Sequence, residues 1–275
     1  DGVGTAEHPG DVFFEKNLPD SAPQWIRRVD IAHSDHVTTY PVIDDAATLA
    51  WTAQVAALEL HVPQWRVDHR DVPQHPDRLV LDLDPGPGAG LPECVEVARS
   101  ARTLLADVGL DAMPVTSGSK GIHLYAALDG THDSDYVNAF AKQLAQALEA
   151  ELPELVVSSM RKSLREGKVL VDWSQNNGNK TTIAPYSLRG TVEPRVAVPR
   201  TWRELGGAGL RHLGLDEVVA RMKRRKDPLA ALGASGVAER LSTYRSKRDP
   251  ARTPEPDGAA SSGEGGGTDG PIFVI

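Results

Sequence analysis

One short stretch of this chain, residues 79–84, constrains its fold more than any other. From Leu79 to Asp84 leucines alternate with other residues, which predicts a β-strand because strand side chains point alternately to opposite faces. The leucines share one face, while Asp82 and Asp84 share the other. Pro85 and Gly86 follow at once and predict that the strand stops there. The two carboxylates are therefore expected side by side on one face of a sheet, at the end of this strand.

Asp82 and Asp84 predict a divalent-metal site. Two like charges this close repel each other unless a cation lies between them. Sites rich in oxygen ligands suit Mg²⁺ and Mn²⁺. The alternative interpretation is a pair of surface acids that closes a strand.

Two further segments carry a polar residue on an otherwise apolar strand pattern. In residues 168–173, Val169, Val171 and Trp173 take one face and Asp172 takes the other. In residues 122–128, His123 stands opposite the apolar face. If these strands are neighbours, one sheet face carries Asp82, Asp84, Asp172 and His123. Three carboxylates on one face form the ligand set of a two-metal site for phosphoryl or nucleotidyl transfer.

Composition limits the class of protein. A chain of 275 residues can form one large domain or two small ones. No apolar run approaches the ~20 residues needed to cross a bilayer, so we expect a soluble, cytosolic protein without a signal peptide. The single cysteine, Cys94, excludes an internal disulfide and a cysteine-rich zinc site.

The charge is unevenly distributed. The formal net charge of −8 argues at first against a polyanionic partner. However, residues 1–100 hold 7 Lys and Arg against 17 Asp and Glu, whereas residues 156–226 hold 15 against 6. The basic sector, which includes Arg221 and residues 223–226, is either a footprint for nucleic acid or a solvated helix face.

Periodicity and turn residues predict the order of elements. Strand pairs are expected over 29–32 with 37–43 and over 113–117 with 121–128, and single strands over 12–16, 168–173 and 181–184. Helices are expected over 46–59, 92–108 and 134–151, the first with Asp44 as its N-cap. Residues 1–250 are predicted to form one domain, 251–270 a disordered linker, and 271–275 the start of a following module.

The glycine-flanked loop Ser117–Gly121 lies between two predicted strands. Its exposed N–H groups and Lys120 suit a phosphate chain, although the spacing does not match the phosphate-binding loop that ends in Gly-Lys-Ser/Thr. A bare hairpin turn is the alternative. The glycine-rich turn over 86–90 is rejected as a dinucleotide-binding fingerprint because Leu91 replaces its last glycine.

Phe13 and Phe14 are consecutive, so on a strand they point to opposite faces. One of the two rings is then expected to be exposed and to offer a stacking platform for bases. The alternative is that this ring packs under a loop.

Together these motifs resemble the polymerase domain of bacterial DNA ligase D, within the archaeo-eukaryotic primase superfamily. The resemblance covers nearly everything from residue 12 to about 254. It is carried by Leu81–Gly86, Thr116–Tyr125 and Val169–Asn176, and extends to Phe13–Lys16, Leu60–Trp65 and Thr181–Gly190.

The resemblance implies a fold and a set of site residues. The fold would be α+β, of the primase-polymerase type, with two antiparallel sheets around a catalytic cleft and flanking helices. Asp82, Asp84 and Asp172 would be the catalytic metal ligands, for two Mn²⁺ or Mg²⁺ ions. Nucleotide binding would fall to His61, Ser117, Lys120, His123, Gln175 and Arg189, and stacking on DNA to Phe13 and Phe14.

The resemblance also implies an activity and partners. The chain would be a DNA-directed nucleotidyltransferase that fills or extends DNA ends in non-homologous end joining, with NTP or dNTP as substrate. Partners would be broken DNA ends, the end-binding protein Ku, and ligase and phosphoesterase modules, at the bacterial nucleoid and not at a membrane. The family has further residues before the Phe13–Phe14 strand, so the N-terminal part of the domain is expected to be missing. The alternatives left open are a two-metal nuclease or phosphatase and a non-catalytic DNA-end-binding module.

Overall fold

The computed structural model describes residues 14–32 and 36–233, and over these ranges the fold is α+β, as expected. The helices are α1 (Ala46–Gln54), α2 (Leu91–Asp107), α3 (Ser134–Glu151), α4 (Trp202–Leu205) and α5 (Leu215–Met222). The strands are β1 (Arg28–Ala32), β2 (Val37–Pro41), β3 (His61–Val62), β4 (Arg78–Pro85), β5 (Met113–Thr116), β6 (Ile122–Ala127), β7 (Val156–Val157), β8 (Val169–Asp172), β9 (Thr182–Ile183), β10 (Arg195–Val196), β11 (Val198–Pro199) and β12 (Leu213–Gly214). No helix in these ranges has the length and apolar character to cross a membrane.

A six-stranded sheet in the order β11-β5-β6-β4-β8-β7 forms the centre of the fold. Three further sheets, β1–β2, β3–β9 and β10–β12, are two-stranded and antiparallel. The arrangement differs from the expected pair of antiparallel sheets in two respects. The described residues form one large sheet and three small ones, and β7 runs parallel to β8 at the edge of the large sheet. A parallel pair needs a long connection, and residues 158–168 supply it.

The alternation along β4 divides the two faces of the central sheet. Leu79, Leu81 and Leu83 are each 0% exposed and pack with α2 and α3 in the main hydrophobic core. Val80, on the opposite face, packs in a separate cluster with Tyr125 of β6. Burial of a leucine side chain contributes roughly 1.5–3 kcal/mol, so the leucine face fixes which way Asp82 and Asp84 must point.

Several local expectations change at the edges of elements. The side chain of Asp45, not of Asp44, caps α1 by accepting a hydrogen bond from the Thr48 N–H at 2.6 Å. The helix then ends at Gln54, shortly before Ala56 takes a positive φ of 58°. Residues 14–16 are not part of a strand. Phe13, the linker over 251–270 and the segment 271–275 lie outside the described residues, and the domain boundary at residue 250 stays a prediction.

Part of the basic sector is occupied by an internal ion-pair network. Glu204 of α4 accepts hydrogen bonds from Arg221 of α5, from Arg225 and, at 2.9 Å, from the backbone N–H of Thr201. Its side chain is 19% exposed, and the Arg221 guanidinium, ahead of the Thr201 hydrogen bonds, holds the pKa of its carboxyl far below the usual range. Arg221 therefore joins α5 to α4, and Arg225, which follows α5, forms a second ion pair with the same carboxylate.

Glu204→Gln is expected to lower the free energy of unfolding at pH 7 by about 2 kcal/mol, because hydrogen bonds to charged groups are lost. A carboxyl whose folded pKa is depressed stabilises above its unfolded pKa, near 4.5, and that contribution fades as pH falls towards the folded pKa. The difference between wild type and variant should therefore shrink below about pH 4. Urea unfolding measured at several pH values tests this, and a difference that stayed constant down to pH 2 would contradict it.

Candidate active site

The register of the central sheet places Asp82 between two other polar residues. On β4, Asp82 stands opposite His123 of β6 on one side and opposite Asp172 of β8 on the other. The His123 Nε2 lies 3.3 Å from an Asp82 carboxylate oxygen, and the ring is only 4% exposed. The three strands are therefore neighbours, so the condition under which these residues share one sheet face is met. Their roles in catalysis stay a prediction.

The surroundings of Asp84 disfavour its ionised form. Burial and the nearby charge of Asp82 raise the pKa of its carboxyl. The nearest cation is Arg165, from the β7–β8 connection, whose Nη1 is 3.7 Å from the Asp84 carboxylate. The negative charges of Asp82 and Asp84 repel each other, and a cation bound between them would relieve this repulsion.

The carboxylate of Asp172 is held by the turn that follows β8. One of its oxygens accepts the backbone N–H of Ser174 at 2.9 Å, and the other accepts the Gln175 side-chain amide at 3.0 Å. Within the described ranges, no three His, Cys, Asp or Glu side chains are already gathered in metal-binding geometry. The donor set of Asp82, Asp84 and Asp172 nonetheless has the oxygen chemistry that Mg²⁺ and Mn²⁺ prefer.

A cavity of about 260 Å³ opens over this face of the sheet. It is lined by Asp82 and Asp84 and by all six residues predicted to bind the nucleotide. The rest of its lining includes Ser119, Gly121 and residues 181–183. Asp172 and Phe14 do not line it. The structure thus brings together, in one cavity, residues that lie between 61 and 189 in the sequence.

The loop Ser117–Gly121 is built tightly against its surroundings. The Ser117 hydroxyl accepts the backbone N–H groups of Ser119 and Gly121, at 3.3 and 3.2 Å. Gly118 has a φ of +75°, and a Cβ there would meet the backbone of Val196 at 2.8 Å, so only glycine fits. Its N–H donates to His212 Nδ1 at 3.2 Å, and burial lowers the pKa of that imidazole. The loop therefore holds Lys120 in a defined position at the cavity.

Glu59 joins two of the predicted nucleotide-binding residues and was not identified from the sequence. Its carboxylate lies 3.0 Å from His61 Nε2 and 3.4 Å from Arg189 Nε, and it accepts the Gly190 N–H at 2.9 Å. The hydrogen bond from His61, ahead of the other contacts, lowers the pKa of Glu59. Its position two residues before His61 is a signal in the sequence, because residues i and i+2 of an extended segment share a face.

Arg165 and His212 were also missed, and the sequence offers no local signal for either. Each reaches the site from a distant segment, Arg165 to Asp84 and His212 to Gly118.

Phe14 stands at the edge of the site. Its ring is 57% exposed and meets the His61 ring edge-on, with centroids 5.5 Å apart. Lys16 Nζ lies 5.8 Å from the centre of the ring. An exposed aromatic ring beside a lysine suits stacking on a nucleic-acid base.

Residues 5–229 match the model of the family described as LigD, primase-polymerase domain. The chain is 54% identical over 269 residues to the multifunctional non-homologous end joining protein LigD of Mycobacterium bovis, covering 96% of this chain and 35% of that protein. It is 32% identical over 218 residues to the bifunctional non-homologous end joining protein LigD of Bacillus subtilis, covering 78% of this chain and 34% of that protein. The chain thus spans about a third of the length of these relatives.

Among solved structures, the polymerase domain of Mycobacterium tuberculosis ligase D in complex with DNA superposes with a TM-score of 0.78. The two chains are 54% identical, and the match covers 82% of this chain and 80% of that one.

Proposed function

Because this chain belongs to the family of LigD primase-polymerase domains, and is therefore a nucleotidyltransferase of the polymerase type, we propose that it fills or extends broken DNA ends in non-homologous end joining. The reaction is attack of a primer 3′-hydroxyl on the α-phosphate of a nucleoside triphosphate, with release of pyrophosphate. Ku, together with ligase and phosphoesterase modules, would complete the repair at the bacterial nucleoid.

The single observation that carries this proposal is the cavity over the central sheet. It places a carboxylate pair, Asp82 and Asp84, beside two cationic side chains, Lys120 and Arg189. The acids suit a cation and the basic groups suit a phosphate chain, so one cavity offers both halves of a metal–triphosphate complex.

The reaction of this family requires a divalent metal. We propose that Asp82, Asp84 and Asp172 hold two such ions, either Mn²⁺ or Mg²⁺. When bound, such ions lower the pKa of an attacking hydroxyl and stabilise the leaving pyrophosphate. Each oxygen of Asp172 can keep its hydrogen bond from the Ser174 or Gln175 N–H and still offer a second lone pair to a metal.

The nucleotide would be held by side chains that already line the cavity. Lys120 and Arg189 would pair with the triphosphate, and Ser117 would keep the loop of Lys120 in place. His123, against Asp82, would orient that carboxylate. Phe14 and the adjacent Phe13 would stack on the base or the template.

A two-metal nuclease or phosphatase would use the same three acids but need not bind a triphosphate through Lys120 and Arg189. Lys120→Ala and Arg189→Ala are each expected to raise the KM for the nucleoside triphosphate about tenfold or more, because each removes a charge-assisted hydrogen bond of about 1.5–3 kcal/mol.

Steady-state primer extension with Mn²⁺, over a range of nucleotide concentrations, measures this effect. Arg70→Ala is the matched control, since Arg70 pairs only with Asp68 on the surface in the described structure. An unchanged KM in both cavity variants, or cleavage of DNA without nucleotide addition, would favour the hydrolase instead.

A further inference from the structure

The side chain of Asn176 takes the place of a missing strand beside β4. In the register that pairs Asp82 with Asp172, Val80 would stand opposite residue 174. The chain has left the sheet by then, because Ser174–Asn176 form a 3₁₀ turn. Asn176 Oδ1 instead accepts the Val80 N–H at 2.9 Å, and Asn176 Nδ2 donates to the Val80 carbonyl at 2.7 Å.

This amide is fully engaged and buried. Asn176 is 1% exposed, and its Nδ2 also donates to the Trp173 carbonyl at 2.8 Å. Buried backbone groups that lose their partners are costly, so the amide secures both the turn and the central strand. The contact is made two residues before Asp82 along β4.

The same turn holds the carboxylate of Asp172 through Ser174 and Gln175. On its far side, the Thr182 hydroxyl donates to Gln175 Oε1 at 3.2 Å and accepts from Gln64 Nε2 at 3.0 Å. The turn is therefore fixed to β9 through Thr182 and to β4 through Asn176. Of these attachments, only that of Asn176 reaches the strand that carries Asp82 and Asp84.

We propose that Asn176 is a positioning residue for nucleotidyl transfer, which keeps Asp172 in register with Asp82 without touching the substrate. The inference rests on the proposed function, since it assigns Asn176 a part in that same site. Small errors in such a position are expensive, because a misplacement of about 1 Å can cost roughly 100-fold in rate.

Asn176→Asp tests the inference with a change of very similar shape. The introduced carboxylate cannot donate to the Val80 carbonyl and faces its oxygen instead. We expect kcat for primer extension to fall about 100-fold and the Kd for Mn²⁺ alone, measured from the electron paramagnetic resonance signal of free Mn²⁺, to rise about tenfold or more. Binding of a fluorescent nucleoside triphosphate should fall much less than kcat does, because only Gln175 of the six predicted nucleotide-binding residues belongs to this turn.

Asn177→Asp is the matched control, because it makes the same chemical change at the adjacent residue. The new side chain still offers an oxygen to the Asn179 N–H, which donates to Asn177 Oδ1 at 2.9 Å. If both variants bind Mn²⁺ and extend primers like the wild type, the inference is wrong. Loss of metal binding, nucleotide binding and the melting transition together would also overturn it, by reducing Asn176 to a residue of general stability. A wild type that shows no metal-dependent extension would instead refute the proposed function.

A measurement on the unaltered protein gives an independent check. The Val80 amide should exchange its hydrogen as slowly as the Asp82 amide, because Asn176 protects it. Exchange as fast as that of an exposed loop would show that the side chain does not replace a strand.

Discussion

Asp84→Asn is expected to lower kcat/KM for templated nucleotide addition by about 1,000-fold or more, while leaving the fold intact. The variant keeps the shape of the side chain and removes the charge that a divalent cation would balance. Loss of one preorganised electrostatic contact to the reacting groups already costs about 100- to 1,000-fold in other enzymes. Asp82→Asn is expected to behave in the same way, since both carboxylates line the cavity.

The same variants are expected to lose activity without losing stability. Burial and the charge of Asp82 raise the pKa of Asp84, so the folded protein carries an unfavourable charge pair. Removing one charge should leave the melting temperature of the metal-free protein unchanged or raise it, as is common where a site is built for function rather than stability. Calorimetry without metal measures this.

Primer extension with Mn²⁺ decides the catalytic half of the prediction. A surface variant, Asp20→Asn, serves as the control for the loss of one acid. Extension by Asp82→Asn and Asp84→Asn at the wild-type rate would end the polymerase assignment and leave the non-catalytic DNA-end-binding module as the better hypothesis.

The central part of the site could be predicted because its signals are local. Alternation over residues 79–84 gives the strand and its faces, and the helical period over 134–151 gives α3 with the same bounds as in the structure. Once β4, β6 and β8 are neighbours, the shared face of Asp82, His123 and Asp172 follows from the two-residue period of a strand.

The contacts that complete the site could not be predicted in this way. Arg165 reaches Asp84 across 81 positions of sequence, and Asn176 reaches Val80 across 96. Such pairings depend on where turns direct the chain in three dimensions, and neither residue type nor spacing encodes that. An asparagine in a polar loop has the same local pattern whether it is solvated or, like Asn176, buried against a strand.

The choice between Asp44 and Asp45 shows a smaller limit of the same kind. Both are good N-cap residues, and the sequence before α1 does not rank them. In the structure Asp44 pairs with Arg27 at 2.8 Å, which leaves the cap to Asp45. A distant partner thus decided a local boundary.

Gly121→Ala is expected to be a severely damaging substitution near the site. A Cβ at this position would lie 1.9 Å from the carbonyl oxygen of Leu83 and 3.1 Å from Pro85 Cδ. Backbone cannot yield as a flexible side chain does, so either β6 or β4 must shift. Overpacking of this kind costs about 3 kcal/mol, and the shift falls on the residue between Asp82 and Asp84.

Denaturant unfolding of Gly121→Ala should therefore show a free energy of unfolding about 3 kcal/mol lower than that of the wild type, with primer extension reduced as well. Gly209→Ala is the matched control, because a Cβ there meets nothing within 4 Å and the change should stay within about 0.5 kcal/mol. Equal stability of the two variants would mean that the loop and β4 are not packed as closely as the structure places them. Loss of activity with full stability would instead mean that the close approach of Gly121 to Leu83 aligns Asp82 and Asp84 but does not stabilise the fold.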